Sequence, residues 1–276
     1  MMKLGKGLSV LLVLLCSHGI AAEELPVWEA GVGVGALTMS HYMGADQSTD
    51  YGLAYPYMVY RSEYLRADRK GLRGKLFQRD DLQLSVSMNF SLPVDSDDNH
   101  TREGMPDLDP LIEFGPSLQY KMFQTNDHRH TVTLELPMRA ALVIDGLDIS
   151  HQGWVANPEV TYAGEFSNWR HAISAGPIFA DHRYHEYYYE VDSEYETNER
   201  ASYAAKAGYT GAKLSLSVRR QFGDMTVAGF VRYVNLNGAA NEDSPLVKVN
   251  DYFAYGIAIH WRLAKSSRTI DLTSDF

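Results

Sequence analysis

Positions 81 to 92 alternate without an error: Leu82, Leu84, Val86, Met88, Phe90 and Leu92 fall in one phase, and Asp81, Gln83, Ser85, Ser87, Asn89 and Ser91 in the other. A strict period of two is the signature of a β-strand with one apolar and one polar face. After Asp81 the polar phase is uncharged, and the apolar phase is bulky. That combination suits a strand with lipid on one side and a wet lumen on the other.

The pattern returns along the chain. In 111–122, Ile112, Phe114, Pro116, Leu118, Tyr120 and Met122 oppose Glu113, Gly115, Ser117, Gln119 and Lys121. In 132–142, Val132, Leu134, Leu136, Met138, Ala140 and Leu142 oppose Thr133, Glu135, Pro137 and Arg139. In 252–263 the outward phase would be Phe253, Tyr255, Ile257, Ile259, Trp261 and Leu263. Further strands are expected over 28–39, 53–61, 64–68 with 72–77, 154–166, 169–180, 214–222 and 225–236. Asn168 and Gly223-Asp224 carry tight-turn chemistry. Pro116 and Pro137 each remove a ladder donor, which bulges would absorb. Longer polar connections at 95–110, 190–200 and 237–248 alternate with short turns, the loop asymmetry of a membrane barrel.

The first 22 residues read as a secretory leader: Lys3 and Lys6, an apolar block from Gly7 to Leu15, then small residues at Ala21-Ala22. Leu15 stands where a lipoprotein signal wants a small residue, so Cys16 is not read as a lipid anchor. Cys16 is the only cysteine, so disulfides do not hold the fold. No later stretch approaches the roughly 18 apolar residues of a spanning helix. The 18 tyrosines suit interfacial aromatic girdles. A net charge of −10 argues against nucleic acid as a partner.

The polar phases carry charges of both signs. Glu135 and Arg139 share one strand face, Glu113 and Lys121 another, and Lys213 and Arg219 a third. Inside a narrow barrel these must pair or stay hydrated. Other motifs fail on inspection. Gly31-Val-Gly-Val-Gly35 lacks dinucleotide spacing, and its glycines suit close packing instead. Asp95-Ser-Asp-Asp-Asn99 opens like a calcium loop, but His100 replaces the turn glycine and Pro106 the closing Glu. In an extended 181–189 segment, His182 and His185 point to opposite faces, and a tyrosine-rich patch at the membrane boundary is expected there. Ser215 or Ser217 with His260 is the conceivable hydrolase pair, though no local motif joins them.

Several segments together resemble the MipA/OmpV family of Gram-negative outer-membrane proteins. They are His41-Tyr-Met-Gly-Ala-Asp46, Tyr55-Pro-Tyr57, Gly104-Met-Pro-Asp-Leu-Asp-Pro110, Glu113-Phe-Gly-Pro-Ser-Leu118, Leu136-Pro-Met-Arg139, Tyr187-Tyr-Tyr189, Val191, Arg200, Gly229-Phe-Val-Arg-Tyr233 and Asp243-Ser-Pro-Leu-Val247. The resemblance implies a membrane barrel and not an enzyme. It also implies a scaffold that binds a murein lytic transglycosylase and joins it to a synthase. The chain departs from the family pattern after Trp261, running on to Phe276, so either residue could end the closing strand.

The expectation is therefore an all-β, transmembrane antiparallel β-barrel of about 12 strands, with ten and fourteen as the alternatives. A leader over 1–22, a barrel over 23–263 and a tail over 264–276 make up the chain. The expected location is the outer membrane, with lipid and murein-processing enzymes as partners. No catalytic, cofactor or metal residue is assigned. The rival readings are a narrow pore or small-solute binder and an outer-membrane lipid hydrolase.

Overall fold

The computed structural model describes residues 25–61, 65–68, 71–74, 77–79, 81–145 and 148–270. The expected leader lies outside the described residues. So do the last six residues, Phe276 among them.

Among the described residues sixteen strands follow in chain order. They are β1 (Leu25–Pro26), β2 (Trp28–Ser40), β3 (Ser48–Arg61), β4 (Leu65–Asp68), β5 (Gly71–Gly74), β6 (Phe77–Arg79), β7 (Leu82–Ser91), β8 (Leu111–Gln124) and β9 (His130–Asp145). After these come β10 (Asp148–Ala156), β11 (Glu159–Phe166), β12 (Trp169–Ala180), β13 (Gly208–Phe222), β14 (Met225–Asn235), β15 (Asp251–Lys265) and β16 (Thr269–Ile270). One helix, α1 (His182–Tyr189), lies between β12 and β13.

Fourteen of these strands make one sheet, and every pairing in it is antiparallel. The sheet closes on itself. Its path runs from β5 through β4, β3, β2 and β15 round to β7 and β6, so its two ends are consecutive pieces of chain. β10 and β11 likewise share one place in the wall, both between β9 and β12, interrupted at Asn157-Pro158. Two split positions among 14 strands leave about twelve places in the wall, in line with the sequence expectation. Closure removes the sheet edges that hydrocarbon cannot solvate.

The alternation sets inside and outside. On β15, Phe253, Tyr255, Ile257, Trp261 and Leu263 point outward, and Leu263 is 71% exposed. Ala254 and His260 point inward and are buried. Outward Phe114, Leu118, Leu136, Met138, Leu214, Leu216 and Val231 continue this apolar belt on the other strands. An apolar surface this extensive belongs against lipid, not water.

The turns also follow local chemistry. Ser167 and Asn168 both take positive φ, 49° and 65°, joining β11 to β12 in two residues. The pair Gly223-Asp224 joins β13 to β14, with Gly223 at φ 59°. The prolines behave differently from expectation. The β7–β8 register runs straight through Pro116, opposite Val86, and Pro137 faces Ser117. Among the described residues the register shifts fall instead at 121/123, 151/154, 178/179 and 262/264. A single missing donor is tolerated here without a bulge.

The strand directions segregate the connections. At one end lie short turns, together with β1 and β16, which pair Leu25 with Ile270 and Pro26 with Thr269. At the other end lie the connections 41–47, 92–110, 181–207 and 236–250. The main core of the molecule sits at this long-loop end. It joins Tyr42, Val94, Leu108, Leu111, Val143, Val155, Tyr184, Tyr188, Tyr189, Val191 and Leu246.

Candidate functional site: the loop cap and the lumen beneath it

One expectation fails here, and the failure defines the site. Residues 182–189 are not an extended tyrosine patch at the membrane boundary. They form helix α1, whose N-cap Asp181 accepts a hydrogen bond from the Tyr184 amide at 3.0 Å. In a helix, positions 184, 185, 188 and 189 share one face, and all four are buried. The helix seats against the wall because position 153 is glycine, at φ 97°. A Cβ there would stand 2.1 Å from Asp181 Oδ1 and 2.6 Å from the Tyr184 amide.

The tyrosines then staple the loops together. Tyr42 Oη donates to Leu246 O at 2.8 Å, Tyr189 Oη to Met43 O at 3.0 Å, and Tyr187 Oη to Asp109 O at 3.1 Å. Ser244 Oγ returns a bond to Tyr189 O at 2.8 Å. Two buried arginines do the same work with their guanidinium forks. Arg102 donates to Tyr188 O and Pro106 O, and Arg200 to Thr101 O, Glu103 O and Tyr195 O. A planar five-donor group suits buried carbonyls because it can satisfy several at once. Burial pushes the pKa of Tyr42, Tyr184, Tyr187, Tyr188 and Tyr189 up, so these phenols stay protonated donors.

His185 is enclosed as well. Its Nδ1 lies 2.5 Å from Lys206 O and its Nε2 2.8 Å from Thr210 Oγ1. A carbonyl only accepts, so Nδ1 carries the proton, and Nε2 of the neutral ring accepts from the threonine hydroxyl. Burial holds this imidazole below its ordinary pKa. His182 points elsewhere, exposed beside Glu186 at 3.6 Å. The two histidines do not converge.

Directly beneath the cap the lumen is threaded by ion pairs. Glu113 accepts Arg139 Nε at 2.9 Å and Tyr184 Oη at 3.1 Å, and Arg139 also reaches Ser87 Oγ at 3.1 Å. Lys213 pairs with Glu159 at 2.7 Å and with Asn157 Oδ1 at 2.5 Å. At the short-turn rim Arg262 bridges Glu29 at 3.2 Å and Asp224 at 2.6 Å. Glu113 and Arg139 sit on adjacent strands, β8 and β9, whereas Lys213 reaches across β12 to Glu159 on β11, so these pairs join different strands and do not run along one strand face.

The acidic loop is also committed to the fold. Asp95 accepts the Asp97 amide at 3.0 Å, capping a short 3-10 turn over Ser96–Asp98, while Asp107 accepts the Ser96 amide at 2.7 Å. A cleft of about 420 Å³ separates this loop from Thr49 and Tyr51 of β3, with His41 on its floor. Among the described residues no group of three metal-ligating side chains converges.

The conceivable serine–histidine pair is not assembled. His260 faces Thr226 and Gly33 across its ladders and touches Tyr55 and Tyr57. Ser215 faces Ser174 and Arg232, and Ser217 faces Ala172 and Phe230. The glycines of β2 do pack closely, as their spacing suggests. A Cβ on Gly31 would stand 2.0 Å from Trp261 O, and one on Gly33 would stand 2.8 Å from His260 Nδ1.

Most of the segments that carry the family resemblance meet in the cap. Residues 41–46, 104–110, 187–189, Val191, Arg200 and 243–247 all lie in its loops, and Glu113 and Arg139 lie just below. Sequence reading quoted these residues without seeing that they touch. It passes over Tyr184 and Arg102, and it weighs His185 only as a metal ligand. The available signal was Asp181 as an N-cap ahead of apolar pairs spaced by four.

A family model described as MltA-interacting protein MipA matches residues 32–263. No curated protein sequence matches the chain. Among solved structures, the outer membrane phospholipase A from Escherichia coli is 9% identical, with 85% of this chain and 92% of that one covered at a TM-score of 0.33. A Pseudomonas aeruginosa FadL homologue is 8% identical, with 86% and 90% covered at a TM-score of 0.37. At these values nothing about activity or ligands passes to this chain.

Proposed function

Since the chain belongs to the MltA-interacting protein MipA family, we propose that this outer-membrane barrel is a non-enzymatic scaffold that holds a murein lytic transglycosylase at its periplasmic rim. The observation that carries the reading is the family match across nearly all of the barrel. Barrels of the outer membrane turn their short connections to the periplasm and their long ones outward. On that rule the periplasmic rim bears the β1–β16 clasp. There Val27 donates to Arg268 O at 3.0 Å, and Ser266 to Trp28 O at 2.9 Å. The clasp is a two-stranded sheet separate from the barrel sheet. At that rim the clasp faces the murein layer, where the partner would stand.

The pore reading has less support. Tyr184, Tyr188 and Tyr189 are buried at the long-loop mouth, and Arg139 and Lys213 below them are each paired with a carboxylate. The hydrolase reading lacks an assembled serine–histidine pair.

The test is co-purification of the full-length protein with a murein lytic transglycosylase from crosslinked cells. Recovery of the complex is expected. It should weaken when charge-reversing changes are placed at Arg268, beside the clasp, and at Lys265, the last residue of β15 at the same rim. An empty crosslink in intact cells, with the barrel folded, would sink the scaffold reading.

A further inference from the structure

Among the described residues, the cations Arg139, Lys213 and Arg232 share the middle of the lumen with Glu113, Glu135 and Glu159. Arg139 and Arg232 both lie within electrostatic reach of Lys213. Arg139 is matched by Glu113, and Lys213 by Glu159. Arg232 has no such match: its Nε is shut away from solvent without an acceptor, and no carboxylate among the described residues pairs with it. Its place inside the barrel follows from the register. Arg232 stands between Ser215 and Ala254, while its chain neighbour Val231 points out to lipid.

A second orphan lies beside it. Ser215, directly opposite Arg232 across the β13–β14 ladder, has its Oγ equally occluded and without a partner. The same inward row continues through Ser174, Thr161 and Thr133, with no acidic side chain. Ser174 and Thr161 satisfy each other at 3.0 Å, so the unmet donors gather at the arginine end. Buried polar atoms are normally satisfied, and an exception calls for a group that satisfies it.

We propose that Arg232 and Ser215 form a site inside the barrel for an oxyanion, the carboxylate or phosphate group of a small solute. A guanidinium fork with an adjacent hydroxyl is the chemistry that recognises such a group. Lys213, held by Glu159 and Asn157, adds positive field without competing for the ligand. Ser217 and Arg219 continue the inward phase of β13 toward the short-turn rim and are exposed, as is Phe230 opposite Ser217.

The test uses the full-length protein refolded in detergent, titrated with inorganic phosphate and with acetate at constant ionic strength set by chloride. Calorimetry and phosphorus NMR line width report binding. Saturable binding of at least one anion is expected. Arg232→Gln should weaken it about tenfold, the loss of one charge-assisted contact. Ser215→Ala should weaken it less. Arg220→Gln should not change it, because Arg220 lies on the outer face over the Trp169 and Phe222 rings. Should the glutamine variant fail to fold, Arg232→Lys keeps the charge without the fork and should bind with intermediate affinity. Absence of binding by the unmodified protein, or full binding by a folded Arg232→Gln, overturns the site. Neither result touches the proposed transglycosylase contact, which lies on the outer surface of the rim.

Discussion

Tyr184 donates its hydroxyl to Glu113 at 3.1 Å, tying the cap helix to the barrel wall across 71 residues of sequence. Glu113 is 3% exposed and spends its other oxygen on Arg139. The bond is thus the point where the loop core and the lumen network become one structure. Tyr184→Phe keeps the ring and removes the donor. It should cost about 1–3 kcal/mol, the penalty of a buried acceptor left short. Arg139→Met leaves the carboxylate buried without its cation and should cost more, about 3–5 kcal/mol. The midpoint of the heat-dependent mobility shift on gels ranks the two. Equal stability of both variants would contradict the network.

Acid should loosen the cap. His185 is buried and neutral, with a pKa held below the ordinary value of about 6.5. The released chain binds a proton that the folded chain excludes, so stability falls as pH drops through 6.5 toward the lowered folded value. The effect is absent above neutrality. Protease cleavage of the 190–200 loop, followed against pH, should quicken below about 6.5. His185→Gln should flatten that profile. His41, also held low by burial, adds a second contribution of the same sign.

Gly31 and Gly52 should behave oppositely when changed to alanine. At Gly31 the new Cβ meets the Trp261 carbonyl at 2.0 Å, a backbone atom that the ladder holds in place. At Gly52 nothing lies within 4 Å. Gly31→Ala should lose about 1–3 kcal/mol or fail to assemble. Gly52→Ala should assemble as the parent does. Membrane fractionation with gel mobility reads both outcomes.

Replacing Ser215 or His260 by alanine should leave any lipid-release activity of the preparation unchanged. The two residues face different partners on different rungs, so neither can take the other's proton. Loss of activity in both variants would restore the hydrolase reading.

The barrel was legible one strand at a time. Whether Ile257 or Gly256 faces lipid depends only on the pleat of its own strand, and alternation records it locally. The turns at Asn168 and Gly223 were legible for the same reason. The cap was not, because eight residues of helix leave a weak periodic trace and tyrosine is at home in strands. Only the packing of four loops made the helix the better choice for Tyr184, Tyr188 and Tyr189.

Sequence by itself therefore determined the class of the protein: its alternation, its turn residues and its lack of spanning helices lead to an antiparallel barrel in lipid. Tertiary structure alone decided who meets whom. Arg139 shares a strand face with Glu135, yet its partner is Glu113 on the next strand, and Arg232 is left with Ser215. Side-chain direction is a property of one strand. Pairing depends on the register between strands and on loops closing over the lumen, and these are set only when distant segments pack.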